Sequence, residues 1–177
     1  MDPAHAVGIK HPTWVRFWDG VSFVLGPVPM RVLGSVAAVA ALLARKVRVA
    51  LLLLFCLPLT GLVTTVAKDL AGRPRPATAL VVAPSTSFPS GHALEAMAAA
   101  LAVLTILLPM LKGAMRVVAV TVAALCVLTV GIARIALNVH HPSDVLAGWA
   151  LGYLYFLLCL WVFRPPVIRP TSKDQLK

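Results

Sequence analysis

Charge is scarce in this sequence and acid scarcer still. Only 12% of residues are charged, and 6 Asp+Glu stand against 16 Lys+Arg. An ordinary soluble domain carries about 25% charged residues, so this chain cannot clothe itself for water. Aromatics are also few, at 7%. Three cysteines, Cys56, Cys126 and Cys159, sit inside apolar runs with no C-x-x-C spacing, which removes support for a zinc knuckle or redox pair and marks them as small apolar core residues. The first 18 residues hold no apolar signal core, so insertion is expected to rely on internal segments. Internal repeats and low-complexity tracts are absent.

What is abundant is hydrophobic. Mean hydropathy is +0.92 and the hydrophobic fraction 60%. Four runs are long enough to span a bilayer as helices, Val47–Ala67, Ala93–Met110, Val117–Asn138 and Val145–Phe163. A weaker fifth, Val28–Ala44, carries Pro29 and Arg31 near its start, where an arginine snorkels to the headgroups. The expected fold is all-α: a polytopic membrane bundle of about five transmembrane helices in one domain, residues 1–177. Residues 1–27, with Trp14, Phe17 and Trp18 among charges, read as an interfacial segment. Residues 68–90 hold Gly72 and four prolines (74, 76, 84 and 89) and read as the one substantial loop, while 164–177 form a tail.

Loop charge sets an orientation. With five spans, one face collects Arg45, Lys46, Arg48, Lys112, Arg116, Arg164, Arg169, Lys173 and Lys177; the other collects Lys10, Arg16, Lys68, Arg73 and Arg75. The richer face belongs in the cytoplasm, which puts the 68–90 loop and the turn at His140 outside the cell membrane. The net charge of +10 suits an anionic lipid or substrate. It does not suit nucleic acid, because the basic residues flank apolar runs and form no stripe.

Three stretches on the outward face carry chemistry. Lys68 to Pro76 leaves the second span, Pro89-Ser90-Gly91-His92 enters the third, and Arg134 to Asp144 crosses from fourth to fifth. Each has a plain reading beside a chemical one. Ser90 either caps a helix or helps its free N–H groups hold an anion, with His92 in the first turn as a proton donor. Lys68, Arg75 and Arg134 serve either as interface anchors or as phosphate ligands. His140 and Asp144, four apart with the last helix starting near His141–Pro142, form a structural hydrogen bond or a nucleophile with its orienting carboxylate. Two histidines and an aspartate also suit zinc, but three neighbouring cations oppose it. Together, three cations, a helix N-terminus and two histidines with separable roles suit phosphoryl transfer.

These stretches resemble the signature of the type-2 phosphatidic acid phosphatases, a superfamily that includes vanadium haloperoxidases and bacterial non-specific acid phosphatases. Its pattern reads K-x-x-x-x-x-x-R-P, P-S-G-H and S-R-x-x-x-x-x-H-x-x-x-D. Lys68, Arg75 and Pro76 fill the first block, Pro89 to His92 the second, and Arg134, His140 and Asp144 the third. The spacing selects His140 over His141. Ala133 stands where the pattern has serine, which removes one hydroxyl near the phosphate.

The resemblance implies a membrane lipid phosphatase needing no metal or other cofactor. Lys68, Arg75, Ser90, Gly91 and Arg134 would bind phosphate. His140 would become a phosphohistidine, Asp144 would orient it and His92 would protonate the leaving group. The lipid expected first is a polyprenyl diphosphate or related phosphate ester. A phosphatidylglycerophosphate or phosphatidate phosphatase, and a silent lipid-phosphate binder, are the alternatives. No oligomeric state is legible.

Overall fold

The computed structural model describes residues 3–165; the rest of the expected tail, 166–177, lies outside them. The described residues are all helix and loop: α1 (Pro3–Lys10), α2 (Pro12–Val24), α3 (Pro27–Leu43), α4 (Val47–Cys56), α5 (Thr60–Ala71), α6 (Gly91–Leu107), α7 (Ala114–Ala136) and α8 (Pro142–Phe163). Five stretches among them are long and apolar enough to cross a membrane, 12–43, 47–71, 91–110, 114–136 and 142–163. At 1.5 Å per residue the shortest spans about 30 Å, the thickness of a bilayer core. The chain is an all-helical, multi-pass membrane protein.

Helix α6 is the centre of the bundle. It touches α3, α4, α5, α7 and α8. Ala93, Ala96, Ala98, Ala99 and Ala102 are all buried along it, and such small side chains let neighbouring helices approach on several sides. Helix α8 approaches most closely, through glycines. A Cβ added to Gly148 would lie 2.5 Å from the Ser90 carbonyl, and one on Gly152 would collide with the Leu94 carbonyl. Deeper in, Cys56, Cys159, Leu52, Ala98 and Phe156 close an apolar core between α4, α6 and α8, which is where the sequence expects two of the cysteines.

The structure departs from the sequence expectation in three places. The second span is two helices, because Pro58 has no N–H and its ring displaces the preceding turn. The freed carbonyls find other donors: the Leu59 N–H donates to Leu54 O at 3.0 Å, while the Thr60 and Tyr155 hydroxyls donate to Phe55 O at 2.9 and 3.1 Å. Next, α5 runs on to Ala71 and stops at Gly72, whose φ of +58° is the left-handed cap that glycine adopts without strain. Lys68 is therefore a buried residue of a last helical turn, and the irregular loop begins at Gly72. Finally, residues of the segment expected at the interface form α1 and α2, and α2 packs across the end of α7. Trp14 donates its indole N–H to Ala136 O at 3.3 Å, so a residue read as a headgroup anchor is tied to the site-bearing helix.

Glycine at the α6–α8 contact yields a direct test. Gly152→Ala drives a methyl into backbone and should cost about 1–3 kcal/mol, read as a lowered Tm in detergent micelles. Gly20→Ala, with no heavy atom within 4 Å of its Cβ, should leave Tm unchanged. Equal Tm for both would remove the close packing from the account.

Candidate active site

Residues of α2, α3, α5, α6 and α7, the loop 72–90 and the turn before α8 converge on one cleft of about 510 Å³. Its walls include Lys68, Arg75, His92, Arg134 and His140, with Gly91 at the start of α6. The sequence-nominated residues are thus brought together from positions as far apart as 68 and 140. Ser90 and Asp144 lie immediately behind the walls, both fully buried.

The cations are held by neutral oxygens. Lys68 donates from Nζ to the Thr86 carbonyl, and the Thr86 hydroxyl returns a bond to Lys68 O at 3.2 Å. Arg75 donates to Ser85 O and Val139 O, each at 2.7 Å. Arg134 donates to the Ser22 hydroxyl at 2.7 Å, while its Nε has no partner. Among the described residues none of these three reaches a carboxylate within ion-pair distance. Asp19 and Glu95 also line the cleft, but neither pairs with these three cations, so the balance of charge facing it is positive.

Asp144 is the opposite case, an anion with every contact filled. Its Oδ1 accepts from Arg73 Nη1 at 2.8 Å; its Oδ2 accepts from the Ser87 hydroxyl and from the His141 N–H at 2.9 Å. The last bond also caps α8, which begins at Pro142 as its sequence suggests. Oδ2 lies 3.5 Å from His140 Nδ1, longer than an ordinary hydrogen bond. On the other side of the ring, Arg75 Nη1 lies 3.2 Å from Nε2. An arginine only donates, so Nε2 presents its lone pair there and Nδ1 carries the proton, facing Asp144.

The structure adds detail to two sequence readings. Ser90 occupies the N-cap of α6, but its side chain makes no cap bond; its hydroxyl is buried and unpartnered, while its N–H donates to Asp144 O at 2.9 Å. The hydroxyl missing at Ala133 has a physical counterpart elsewhere. Ala133 is fully buried, and the hydroxyl on Arg134 comes from Ser22 of α2.

Sequence reasoning also missed residues. Arg73 entered it only as a loop charge, yet it pairs with Asp144. Ser87 and Ser22 had no signal, because a lone serine in a loop or an amphipathic helix is ordinary. Glu95, buried in the cleft wall and bonded twice by Arg31, did have one: a carboxylate four residues into an apolar span is costly without a purpose.

The model of the PAP2 superfamily matches residues 49–167, two thirds of the chain. The chain belongs to the PAP2 superfamily. Over 118 residues it is 38% identical to phosphatidylglycerophosphatase B of Bacillus subtilis (strain 168), an alignment covering 64% of this chain and 58% of that protein. A crystal structure described as the first transmembrane PAP2-type phosphatidylglycerolphosphate phosphatase, from Bacillus subtilis, superposes with a TM-score of 0.71 at 25% identity, covering 98% of this chain and 86% of that one. The PAP2 match spans every residue named in the cleft except those of α2 and α3.

Electrostatics inside this PAP2 cleft act on His140. Burial, then the charges of Arg134, Arg75 and Lys68, push its pKa down to about 3 against the smaller upward pull of Asp144. Burial likewise lowers Arg75, though not enough to discharge a guanidinium. His140 is therefore neutral when the cleft is empty. The unfolded chain binds the proton more readily, so this group withdraws stability as pH falls from about 6.5 towards about 3. An NMR titration of the ring without phosphate should show it neutral at pH 5. A midpoint near 6.5 would mean the cations do not face it.

Proposed function

We propose that this protein hydrolyses the terminal phosphate of a membrane lipid through a phosphohistidine on His140. The observation that carries the reading is the set of three cations without ion-pair partners around one cleft, with His140 on its wall and Nε2 beside Arg75. A phosphate is the anion whose several oxygens match that many donors. In this reading Lys68, Arg75 and Arg134 bind the phosphate oxygens, joined by Gly91 and the unpartnered Ser90 hydroxyl at the N-terminus of α6. Those charges also stabilise the transition state, so the chemistry proceeds without a divalent metal.

The steps balance with two histidines. The Nε2 lone pair of His140 forms the N–P bond as the P–O bond to the lipid breaks, and His92 gives its proton to the leaving oxygen. Asp144 stabilises the charge the ring acquires. Water then attacks phosphorus, His92 takes its proton, the N–P bond breaks and inorganic phosphate leaves.

The substrate proposed first is a glycerophospholipid phosphate such as phosphatidylglycerophosphate, because both relatives carry that activity in their names. The polyprenyl diphosphate expected from sequence has no such support and becomes the competitor in the test. The cleft is proposed to face outward. Arg45, Lys46, Lys112, Arg116 and Arg164 cluster at the far end of the described bundle, where Arg48 donates to Arg164 O at 3.5 Å.

Purified protein in mixed micelles should release phosphate from phosphatidylglycerophosphate in the presence of chelator. His92→Ala should lower kcat by about 10²–10⁴, the usual worth of a positioned acid. His140→Ala should be inactive and His141→Ala active. Activity restored only by magnesium or zinc would overturn the mechanism. For orientation, a single cysteine at Ala79 in a chain lacking Cys56, Cys126 and Cys159 should react with an impermeant reagent on intact cells, and one at Gly113 should not. The reverse pattern would place the cleft in the cytoplasm.

A further inference from the structure

Beneath the phosphate site lies a second polar feature that hydrolysis as such does not require. Arg31 of α3 donates from Nε and Nη2 to both oxygens of Glu95 on α6, at 3.2 and 2.7 Å. A paired, two-bond grip on both oxygens is how a guanidinium holds an ionised carboxylate. The glutamate side chain is 4% exposed and the arginine 43%. Gly61 of α5 completes the contact: a Cβ there would stand 2.6 Å from Arg31 Nη2, so its absence gives the guanidinium room.

The position of the pair is set by helix periodicity. Pro27, Thr64 and His92 line the cleft from α3, α5 and α6. Arg31, Gly61 and Glu95 lie four, three and three residues from them along the same helices, one turn away on the same faces. On α6 that displacement runs inward from the N-terminus, so Glu95 is one turn deeper into the membrane than His92. Glu95 itself reaches the cleft wall, whereas Arg31 is not among the lining residues. The cleft wall thus holds the cations, Asp19 and the attacking His140, with a second carboxylate, Glu95, one turn further along α6 than the proton donor. His92 must stand on the leaving-group side, and Glu95 stands further along that side, where the lipid continues.

We propose that Glu95, fixed by Arg31, reads the atoms that follow the reacting phosphate and selects phosphomonoesters over diphosphates. This inference rests on the lipid-phosphatase reading and deepens it. A monoester presents a neutral oxygen-bearing linker to Glu95, and any hydroxyl on it finds an acceptor. A diphosphate presents a second anionic phosphate beside a buried carboxylate, and such like-charge contacts suppress the wrong partner. Arg31 offsets part of that charge, but Glu95 lines the cleft and Arg31 does not, so an anion in the cleft meets the carboxylate first.

The test uses the full chain in mixed micelles with two lipids of identical tail, one ending in a phosphomonoester and the other in a diphosphate. Wild-type kcat/KM should favour the monoester by at least about tenfold. Glu95→Gln, which keeps the shape and removes the charge, should narrow the ratio to within about threefold. Glu95→Asp should retain the preference. A wild-type enzyme that cleaves the diphosphate as well or better overturns the inference whatever the variants do. So does a folded Glu95→Gln protein with an unaltered ratio. Hydrolysis of neither lipid defeats the phosphatase reading and the inference with it, whereas equal hydrolysis of both defeats the inference alone.

Discussion

Three like charges in one cleft repel each other, and the fold must hold them there without a direct ion pair to any of them. It does so with oxygens that carry dipoles but no charge. The Thr86, Ser85 and Val139 carbonyls and the Ser22 hydroxyl each accept a hydrogen bond from Lys68, Arg75 or Arg134. Carboxylates at those places would neutralise the site and occupy the donors that a phosphate needs. The irregular path of residues 72–90 follows from this requirement. A helix keeps its carbonyls for itself, whereas a proline-rich loop can turn successive ones towards the cations.

Asp144 answers a different need, that of joining the loop to the bundle. It draws in Arg73 from one end of the loop and Ser87 from the other, caps α8 through His141, and its own carbonyl receives the Ser90 N–H. A buried carboxylate with three donors keeps its charge at modest cost, and losing one donor would leave that charge exposed to a poor dielectric. The same atoms that lock the loop also face the His140 ring, so stability and the position of the nucleophile are linked.

Much of this was legible because membrane proteins leave strong marks. Long apolar runs gave four of the five spans to within a few residues, the first extending back to Pro12, and the separations Lys68–Arg75 and Arg134–His140–Asp144 picked out the three cations and His140 of the cleft wall. The misses have physical causes. Pro58 lies inside a run whose hydropathy never falters, and hydropathy does not register a missing N–H. Lys68 looked like the start of a loop because its charge ends the apolar pattern, yet the helix runs on until Gly72 permits a left-handed turn. Ser22 and Ser87 act at sequence separations of 112 and 57, which no local pattern encodes. Arg31 and Glu95 are different, since each is an ionisable residue in an apolar run and their pairing could have been suspected from that alone.

The central claim is that the cations hold a phosphate while His140 takes it. The most direct measurement is to quench a single turnover of lipid carrying a labelled terminal phosphate, then locate the label by peptide mapping. The account predicts an acid-labile, base-stable phosphoramidate on His140 that appears before free phosphate and is missing from His140→Ala. Label on His141 or on a serine, or direct release of phosphate with no enzyme-bound species, would contradict it.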